Sequence, residues 1–558
     1  MVKKMRKRIL TLIAVTILFV VAAFPLVPIQ EAQATPEEIV VITPHWSGIT
    51  DLAKEDFTAW YKAKTGKDVV LTFEYKDTVT SLALIREAGG EPAKVKWDVW
   101  WGGGLDAFKL AKDDGLLAPF SLPGDPEWED IDNNIPDSFS GLPLKDTKDY
   151  TWWGAALSGF GIVYNKKYLE SYGLPTPNDW TDLADPVYKG HIIACPPSKS
   201  GSNLMIIQIL LQYYGWEEGW ALVTKMGANI AEYTEKSHHV APYIGKGEYG
   251  IAPIIDQYGF GQAAVYPEDV VFFYPPADLA KKSTVINPDS VAIVKGKGDT
   301  NPVALEFMKW CLGKEGQKML FMDPINRLSV RPDVYAEAPP GYFNPFVTEL
   351  TLSSYNDTLG TLRLDIVNDL FDMFLVAPKD DLVSAWKAYS SAEEYIIKKK
   401  GEGIDNLIAP PISLPKSDAK LAEAYAAFTS LPITGAKVEA VSPVYLDKRE
   451  EYKVEWLDFA VKKYSDAVKL SDEAKLECEK ERNEIRTAYL EALHSEAIDA
   501  LEAQIQDLEA DIETLSSEVE ASKAAATSNL YYGLAGGLIV GLIVGALIVY
   551  MALRKRLA

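Results

Sequence analysis

Cysteine and histidine are scarce in this sequence, which has three and five of them among 558 residues. Cys195, Cys311 and Cys478 are odd in number and far apart, which argues against a disulfide scaffold and a clustered zinc site. Basic residues are fewer than acidic residues: 56 Lys and Arg stand against 79 Asp and Glu, which gives a formal net charge of -23. We therefore expect no nucleic acid among the partners.

Familiar catalytic motifs are missing as well. The sequence has no Gly-x-Ser-x-Gly elbow, no His-Glu-x-x-His motif and no glycine fingerprint for a dinucleotide or a nucleotide phosphate. We expect a protein that is not an enzyme and that carries no cofactor and no metal. A membrane-tethered extracellular hydrolase is the alternative from another class, because polar loops at strand ends also build active sites.

What the chain does contain is typical of a folded protein with several parts. Hydrophobic residues make up 48% and charged residues 24%, with 14 Trp and 28 Tyr, a balance that excludes disorder. A chain of 558 residues is longer than one ordinary domain.

The sequences at both ends of the chain predict segments that interact with a membrane. Five basic residues between Lys3 and Arg8 precede an apolar run, and residues 32–34 read Ala-Gln-Ala, so residues 1–34 are predicted to be a signal peptide. An uncleaved anchor is the alternative. Residues 530–553 carry no charge and predict a transmembrane helix, and the basic tail 554–558 would stay in the cytoplasm. We expect a single-pass cell-membrane protein with the bulk of its chain extracellular.

A heptad pattern precedes the apolar segment. Within residues 496–525, β-branched residues and Leu alternate by three and four from Ile498 to Val519, which predicts a coiled-coil stalk after a helical extension at 436–495. A parallel homodimer is one arrangement. A hairpin in which the stalk folds back on residues 455–490 is the other.

The body of the chain alternates strands and helices, which indicates an α/β fold with parallel strands. Ligands collect beyond the carboxyl ends of such strands. The candidate pocket walls are therefore the loop with His45 and Trp46 and the loop with Trp101, Gly102 and Gly103.

A second unit begins near residue 151 and holds the most distinctive loop of the chain. Ser200, Gly201 and Ser202 precede a predicted helix, whose amino end favours an anion. Ordinary serine capping is the alternative. Asp256 and Tyr258 lie at another strand end, whereas His238 and His239 are expected in a solvated loop.

Four segments carry a family resemblance between residues 39 and 320. They are DVWWG at 98–102, GFGIVYN at 159–165, PNDWTDL at 177–183 and DPVYKG at 185–190. In this order they resemble the type II periplasmic solute-binding proteins of ABC importers, in the branch with ferric-iron, phosphonate and sugar-phosphate binders.

The resemblance implies two lobes that close on one solute. The first would comprise residues 37–150 and 295–435 and the second residues 151–294, with hinges near 153–164 and 283–294. The implied partners are a small-molecule ligand, an ABC permease and its ATPase. A small anionic solute is expected, with ferric iron as the alternative because His45 occupies the loop where ferric members keep a histidine. The candidate ligand-binding residues are His45, Trp46, Trp101, Gly102, Gly103, Trp153, Ser158, Ser200, Gly201, Ser202, Asp256 and Tyr258.

Overall fold

The computed structural model describes residues 36–278, 281–323, 325–348 and 351–525, with scattered residues near the two ends. The predicted signal peptide lies almost wholly outside these residues, and the predicted transmembrane segment 530–553 lies largely outside them. Among the helices that are described, none is both long and apolar enough to span a bilayer.

Twelve strands are assigned within the described residues: β1 Glu37–Thr43, β2 Val69–Tyr75, β3 Val99–Gly104, β4 Leu117–Ala118, β5 Ser138–Phe139, β6 Leu142–Pro143, β7 Trp153–Asn165, β8 Ile192–Ala194, β9 Ile230–Tyr233, β10 Ile251–Ile255, β11 Val270–Phe273 and β12 Ile286–Val294. All but β5 and β6 belong to one sheet. Its main order is β2-β1-β3-β12-β7-β10-β8-β9, with β4 beside β12 and β11 beside β7.

The longer helices fall between and after these strands: α1 Ser47–Thr65, α2 Thr78–Ala88, α3 Leu105–Asp113, α4 Pro126–Asn134, α5 Lys166–Tyr172, α6 Gly201–Tyr213, α7 Trp216–Asn229, α8 Val240–Gly245, α9 Asp256–Val265, α10 Pro302–Leu312, α11 Lys314–Met319, α12 Asp357–Leu362, α13 Leu364–Phe371, α14 Lys379–Glu402, α15 Pro415–Thr429, α16 Gly435–Val441 and α17 Arg449–Ala525.

Strand β7 joins two lobes because its two halves have different partners. Residues Trp153 to Gly159 pair antiparallel with β12, next to the parallel strands β1, β2 and β3. Residues Phe160 to Asn165 pair with β10 and β11, next to β8 and β9. A two-lobed fold with a mixed sheet follows, and this confirms that part of the predicted architecture.

Local sequence explains how the first lobe's helices begin and end. Gly66 ends α1 with a φ of 74°, a conformation that glycine adopts at no steric cost. Asp77 starts α2, since its side chain accepts a hydrogen bond from the Thr80 backbone N–H.

The apolar faces of α1 and α10 pack on the sheet through residues such as Phe57 and Phe307.

The chain divides into two compact units, Met1–Ala377 with Leu431–Trp456 and Pro378–Ser430 with Leu457–Ala558. This differs from the predicted first-lobe boundary at residue 435, because residues 378–430 belong to the second unit. Within the first unit, α13 packs against α6 of the second lobe. The reason is its apolar face, which includes Val367, Leu370 and Phe371.

The second unit contains α14, α15 and most of α17. Trp386 and Phe428 stack in its interior, and Tyr464 packs beside Phe428. Helix α17 is continuous for 77 residues. The predicted hairpin between residues 455–490 and the heptad segment is therefore wrong, because both segments lie on this one helix. The helical state of residues 496–525 is confirmed, but a coiled-coil partner for them is not shown.

Candidate functional site

A cleft of about 550 Å³ lies within the first unit, between its two lobes. The segments that follow β1, β2 and β3 line one side, and those that follow β8, β9 and β10 line the other. Such a volume suits a small organic molecule. The rule that ligands collect at the carboxyl ends of parallel strands thus correctly predicts where the cleft lies.

Eight of the twelve candidate residues line this cleft: His45, Trp46, Gly103, Ser158, Ser200, Gly201, Ser202 and Tyr258. They come from both lobes and from the shared strand β7. Their role as ligand contacts stays a prediction.

Trp101 and Trp153 do not line the cleft, in contrast to the sequence prediction. Their side chains are 2% and 0% exposed and belong to the apolar core. Trp101 packs edge-on against Phe307, and Trp153 packs edge-on against Phe120. These contacts hold both rings in the apolar core and away from the cleft lining.

Gly102 and Asp256 are also outside the lining but support it. Gly102 has a φ of 101°, and a Cβ there would lie 2.7 Å from His45 Nε2, so glycine leaves room for the imidazole. Asp256 accepts hydrogen bonds from the Gly159 backbone N–H at 2.6 Å and from the Tyr274 hydroxyl at 2.9 Å. Burial raises the pKa of Asp256 to about 6.

The amino ends of three helices open on the cleft. Ser47 of α1, Thr78 of α2 and Gly201 of α6 are the first residues of their helices, and all three line it. Each helix start carries roughly half a positive charge from the backbone dipoles. First-turn N–H groups are also available to bind an anion. Both lobes therefore contribute positive potential to one space.

The residues that precede these helices differ in whether their side chains cap the helix. Ser200 Oγ accepts a hydrogen bond from the Asn203 backbone N–H at 3.1 Å, so this serine caps α6 as well as lining the cleft. Trp46 precedes α1 and supplies no side-chain acceptor to it. The capping alternative is thus correct for Ser200, and it is compatible with ligand binding.

Charged side chains at the cleft partly neutralise one another. Lys199 pairs with Glu235. Lys236 has no ion-pair partner among the described residues, and Lys76 lies 4.0 Å from Glu74. Lys236 therefore adds to the positive potential of the helix starts, whereas Glu74 partly neutralises Lys76, and the Asp77 carboxylate also lines the cleft.

Arg327 is the main functional candidate that the sequence did not reveal. Its guanidinium is buried and donates hydrogen bonds to Ser158 Oγ at 3.2 Å and to Asp289, and Nη1 lies 2.7 Å from His45 Nε2. It therefore ties the loop after β1 to β7 and β12. Arg327 follows His45 by 282 residues and lies in no motif, so only the folded chain shows this contact.

The positive charge of Arg327 lowers the pKa of both His45 and Asp289. Burial chiefly lowers the pKa of His45, and the charge of Arg327 lowers it further. Burial alone would raise the pKa of Asp289, but Arg327 and His45 hold it well below its usual value. A neutral imidazole beside an ion pair results.

His238 differs from the expected solvated histidine because it lines the cleft. Burial lowers its pKa to about 4, with further contributions from His239 and Lys236. Within the described ranges, no three His, Cys, Asp or Glu residues are grouped closely enough to hold a metal ion. The ferric-iron alternative thus finds no supporting cluster in this part of the chain.

Comparison with solved structures identifies proteins with a similar fold. The periplasmic binding protein AfuA from Actinobacillus pleuropneumoniae, solved with exogenous fructose-6-phosphate bound, matches with a TM-score of 0.51 and 22% identity, over 61% of this chain and 98% of AfuA. The fold is that of a periplasmic binding protein. At this identity the likeness concerns the fold alone.

Sequence comparisons agree with that assignment. Residues 103–322 match the family described as bacterial extracellular solute-binding protein. The phosphoglycerate transport regulatory protein PgtC of Salmonella typhimurium is 27% identical over 267 residues, 47% of this chain and 63% of that protein. An uncharacterised protein of Haemophilus influenzae is 26% identical over 294 residues, 52% of this chain and 78% of that protein. The alignment therefore spans less than two thirds of PgtC.

Proposed function

We propose that this chain is the extracellular receptor of an ABC importer and binds a small anionic organic solute between its two lobes. The family match of residues 103–322 supports a solute-binding role. The observation that carries the proposal is the meeting of three helix amino ends, those of α1, α2 and α6, at one cleft.

A phosphorylated metabolite is the first class of solute to test. Helix amino ends and serine hydroxyls bind phosphate oxygens well, because backbone N–H groups and the dipole both favour negative charge. One relative is named for phosphoglycerate transport, and one structural relative holds fructose-6-phosphate. Local dipoles have to achieve this binding, since the whole chain carries a formal charge of -23 and does not attract anions at long range.

Lobe closure is the proposed mechanism. A ligand that contacts both lobes stabilises the closed form by its differential affinity for that form. Strands β7 and β12 are the hinge candidates, because each takes part in the boundary between the lobes. The closed receptor would then deliver its solute to a permease whose ATPase powers transport.

The location of the receptor is proposed from the sequence. Residues 1–34 would direct export, and residues 530–553 would anchor the chain, with residues 554–558 in the cytoplasm. The heptad segment at 496–525 would form the stalk, through which two copies pair.

Thermal unfolding with candidate solutes tests the binding function. Residues 35–529 would be heated with fructose 6-phosphate, 3-phosphoglycerate, inorganic phosphate, glycerol or ferric citrate. We expect a phosphorylated compound to raise the unfolding midpoint, since a ligand that binds only the folded state stabilises it. Glycerol should have no effect.

Two variants locate the binding site. The double variant Ser200→Ala/Ser202→Ala should lose most of the midpoint shift. Ser171→Ala on α5 is the matched control, because Ser171 is exposed and outside the cleft. A shift that survives the double variant would place the site elsewhere, and turnover of an ester or glycoside would favour the hydrolase alternative.

A further inference from the structure

The buried contact between Arg327 and His45 determines where the imidazole carries its proton. Arg327 Nη1 lies 2.7 Å from His45 Nε2, within hydrogen-bond distance. A guanidinium is always a donor, so the ring nitrogen that faces it has to be an acceptor without hydrogen. A neutral imidazole with an unprotonated Nε2 carries its hydrogen on Nδ1.

Asp289 also lies near Nε2, with Oδ2 at 3.1 Å, and would favour a proton there if it were alone. It is not alone, because it already accepts hydrogen bonds from Arg327 Nη2 and from the Gly103 backbone N–H. An Nε2–H group would in addition face an N–H group of Arg327 at 2.7 Å. The arginine therefore outweighs the carboxylate in fixing the tautomer.

The other ring nitrogen, His45 Nδ1, has no hydrogen-bond partner among the described residues, although the side chain is only 4% exposed. A buried donor without a partner costs free energy unless something binds it. His45 lines the cleft but its Nδ1 is buried, so an acceptor atom of a bound solute would reach Nδ1 only after a local movement of the loop that follows β1.

We propose that Arg327 is a specificity-determining residue that locks His45 in the Nδ1-protonated neutral tautomer. His45 then offers the solute a hydrogen-bond donor, and its Nε2 is not available to a metal ion. The donor role rests on the proposed solute-binding function, whereas the tautomer is a property of the free protein. The geometry thus favours solutes with acceptor oxygens over a bare metal cation.

Solid-state nitrogen NMR of the full chain labelled with [15N]histidine tests the lock directly. The sequence has five histidines, so the difference between wild type and His45→Gln assigns the His45 signals. We expect a protonated Nδ1 and an unprotonated Nε2 at neutral pH without any solute. A protonated Nε2 in the wild-type chain would overturn the proposal, whether or not any variant folds.

Removal of the arginine supplies the second test. In Arg327→Met, the donor that faces Nε2 is gone, so His45 should carry its proton on Nε2, from where it can donate a hydrogen bond to Asp289. Arg327→Lys keeps a cationic donor and should retain the wild-type pattern. An Arg327→Met chain that folds and still shows the wild-type tautomer would contradict the assignment to Arg327.

Gallium(III), a diamagnetic probe of a ferric site, tests the metal part. The wild-type chain should show no change in the His45 Nε2 signal on titration with gallium citrate. A stoichiometric shift of that signal with gallium citrate that is absent with citrate alone would overturn the proposal. These outcomes do not depend on finding the solute, so failure of the proposed solute-binding function would remain distinguishable from failure of the tautomer lock.

Discussion

Thr78 and Gly201 face each other across the cleft, one at the start of α2 and the other at the start of α6. A Cβ on Gly201 would lie 2.8 Å from Thr78 Oγ1 and 3.1 Å from Thr78 Cβ. The two lobes therefore approach at this point so closely that only glycine leaves enough space. Residues on either side of this contact, including Lys76 and Ser202, line the cleft.

Replacement of Gly201 by alanine should weaken solute binding without unfolding the protein. The added methyl group would press on Thr78 wherever the two lobes approach as closely as they do in this structure, and overpacking of this kind costs about 1–3 kcal/mol, or roughly a five- to 150-fold loss of affinity. Isothermal titration with the solute that binds best measures the effect. Addition of Thr78→Ala should restore part of the affinity, and an unchanged affinity in Gly201→Ala would mean that binding does not need this contact.

Gly161 in β7 should be essential for the pairing of β7 with β11 and therefore for the stability of the protein. A Cβ at this position would overlap with the Phe273 carbonyl oxygen and lie 2.8 Å from the Phe272 ring, so β7 and β11 would have to separate. We expect Gly161→Ala to lower the free energy of unfolding by roughly 1–3 kcal/mol or more. Urea denaturation measures this loss.

Gly261→Ala is the matched control for that experiment. Gly261 lies within α9, and a Cβ there would meet no heavy atom within 4 Å. Alanine is favoured over glycine in a helix by up to about 1 kcal/mol. The control should therefore be neutral or stabilising, and equal stabilities of the two variants would refute the predicted clash.

Asp106 should make the protein less stable as the pH rises from about 4 to about 7. Burial, helped by Asp357, raises its pKa to about 7 despite a hydrogen bond from Tyr355 and the charges of Lys109 and Arg363. In the unfolded chain it titrates near pH 4. Between these values the folded state binds the additional proton, so the stabilisation present below about pH 4 is lost as the pH rises towards 7.

The variant Asp106→Asn should remove this contribution. Its unfolding midpoint should exceed that of the wild type increasingly from pH 5 to pH 8, while the hydrogen bond from Tyr355 can persist to the amide oxygen. Asp51→Asn on the exposed face of α1 is the control and should follow the wild type. A constant difference between Asp106→Asn and wild type across this range would contradict the raised pKa.

Pairing of two chains through α17 should depend on its heptad stripe. Ile505 and Leu508 are half-exposed on this helix, as are the other stripe residues, which suits a partner helix. Ile505→Asp should convert a dimer of the full chain into a monomer in sedimentation experiments. Ala510→Asp, at an exposed position outside the stripe, should not. A wild-type chain that sediments as a monomer would exclude the pairing.

Hydrophobic periodicity and turn residues in the sequence were sufficient to predict the elements from β1 to β3 and the position of the cleft. Each predicted element from β1 to β3 exists, because alternating strand and helix patterns are local and strong. The serine loop before α6 was recognisable for the same reason, since capping residues and a helix start are neighbours in sequence. Crossing strands were predictable from the family resemblance of GFGIVYN at 159–165.

Other features depend on distant contacts and were therefore not predictable. Trp101 was expected at the cleft, but its burial depends on α10, two hundred residues later in the chain. Arg327 acquires its role only when a segment after α11 returns beneath His45. The sequence pattern predicts two helical segments where the structure has one helix from Arg449 to Ala525, because the apolar pattern changes along this helix although no residue interrupts it.

Strand β7 keeps its backbone paired along its whole length while it passes from one lobe to the other. A connection of this kind resists rotation of the lobes more than an unpaired loop would, because the rotation has to twist a hydrogen-bonded strand. Backbone amides near Phe160 should consequently exchange slowly with deuterium even while the lobes move. In this protein, motion and protection from solvent are expected to coincide at the same residues.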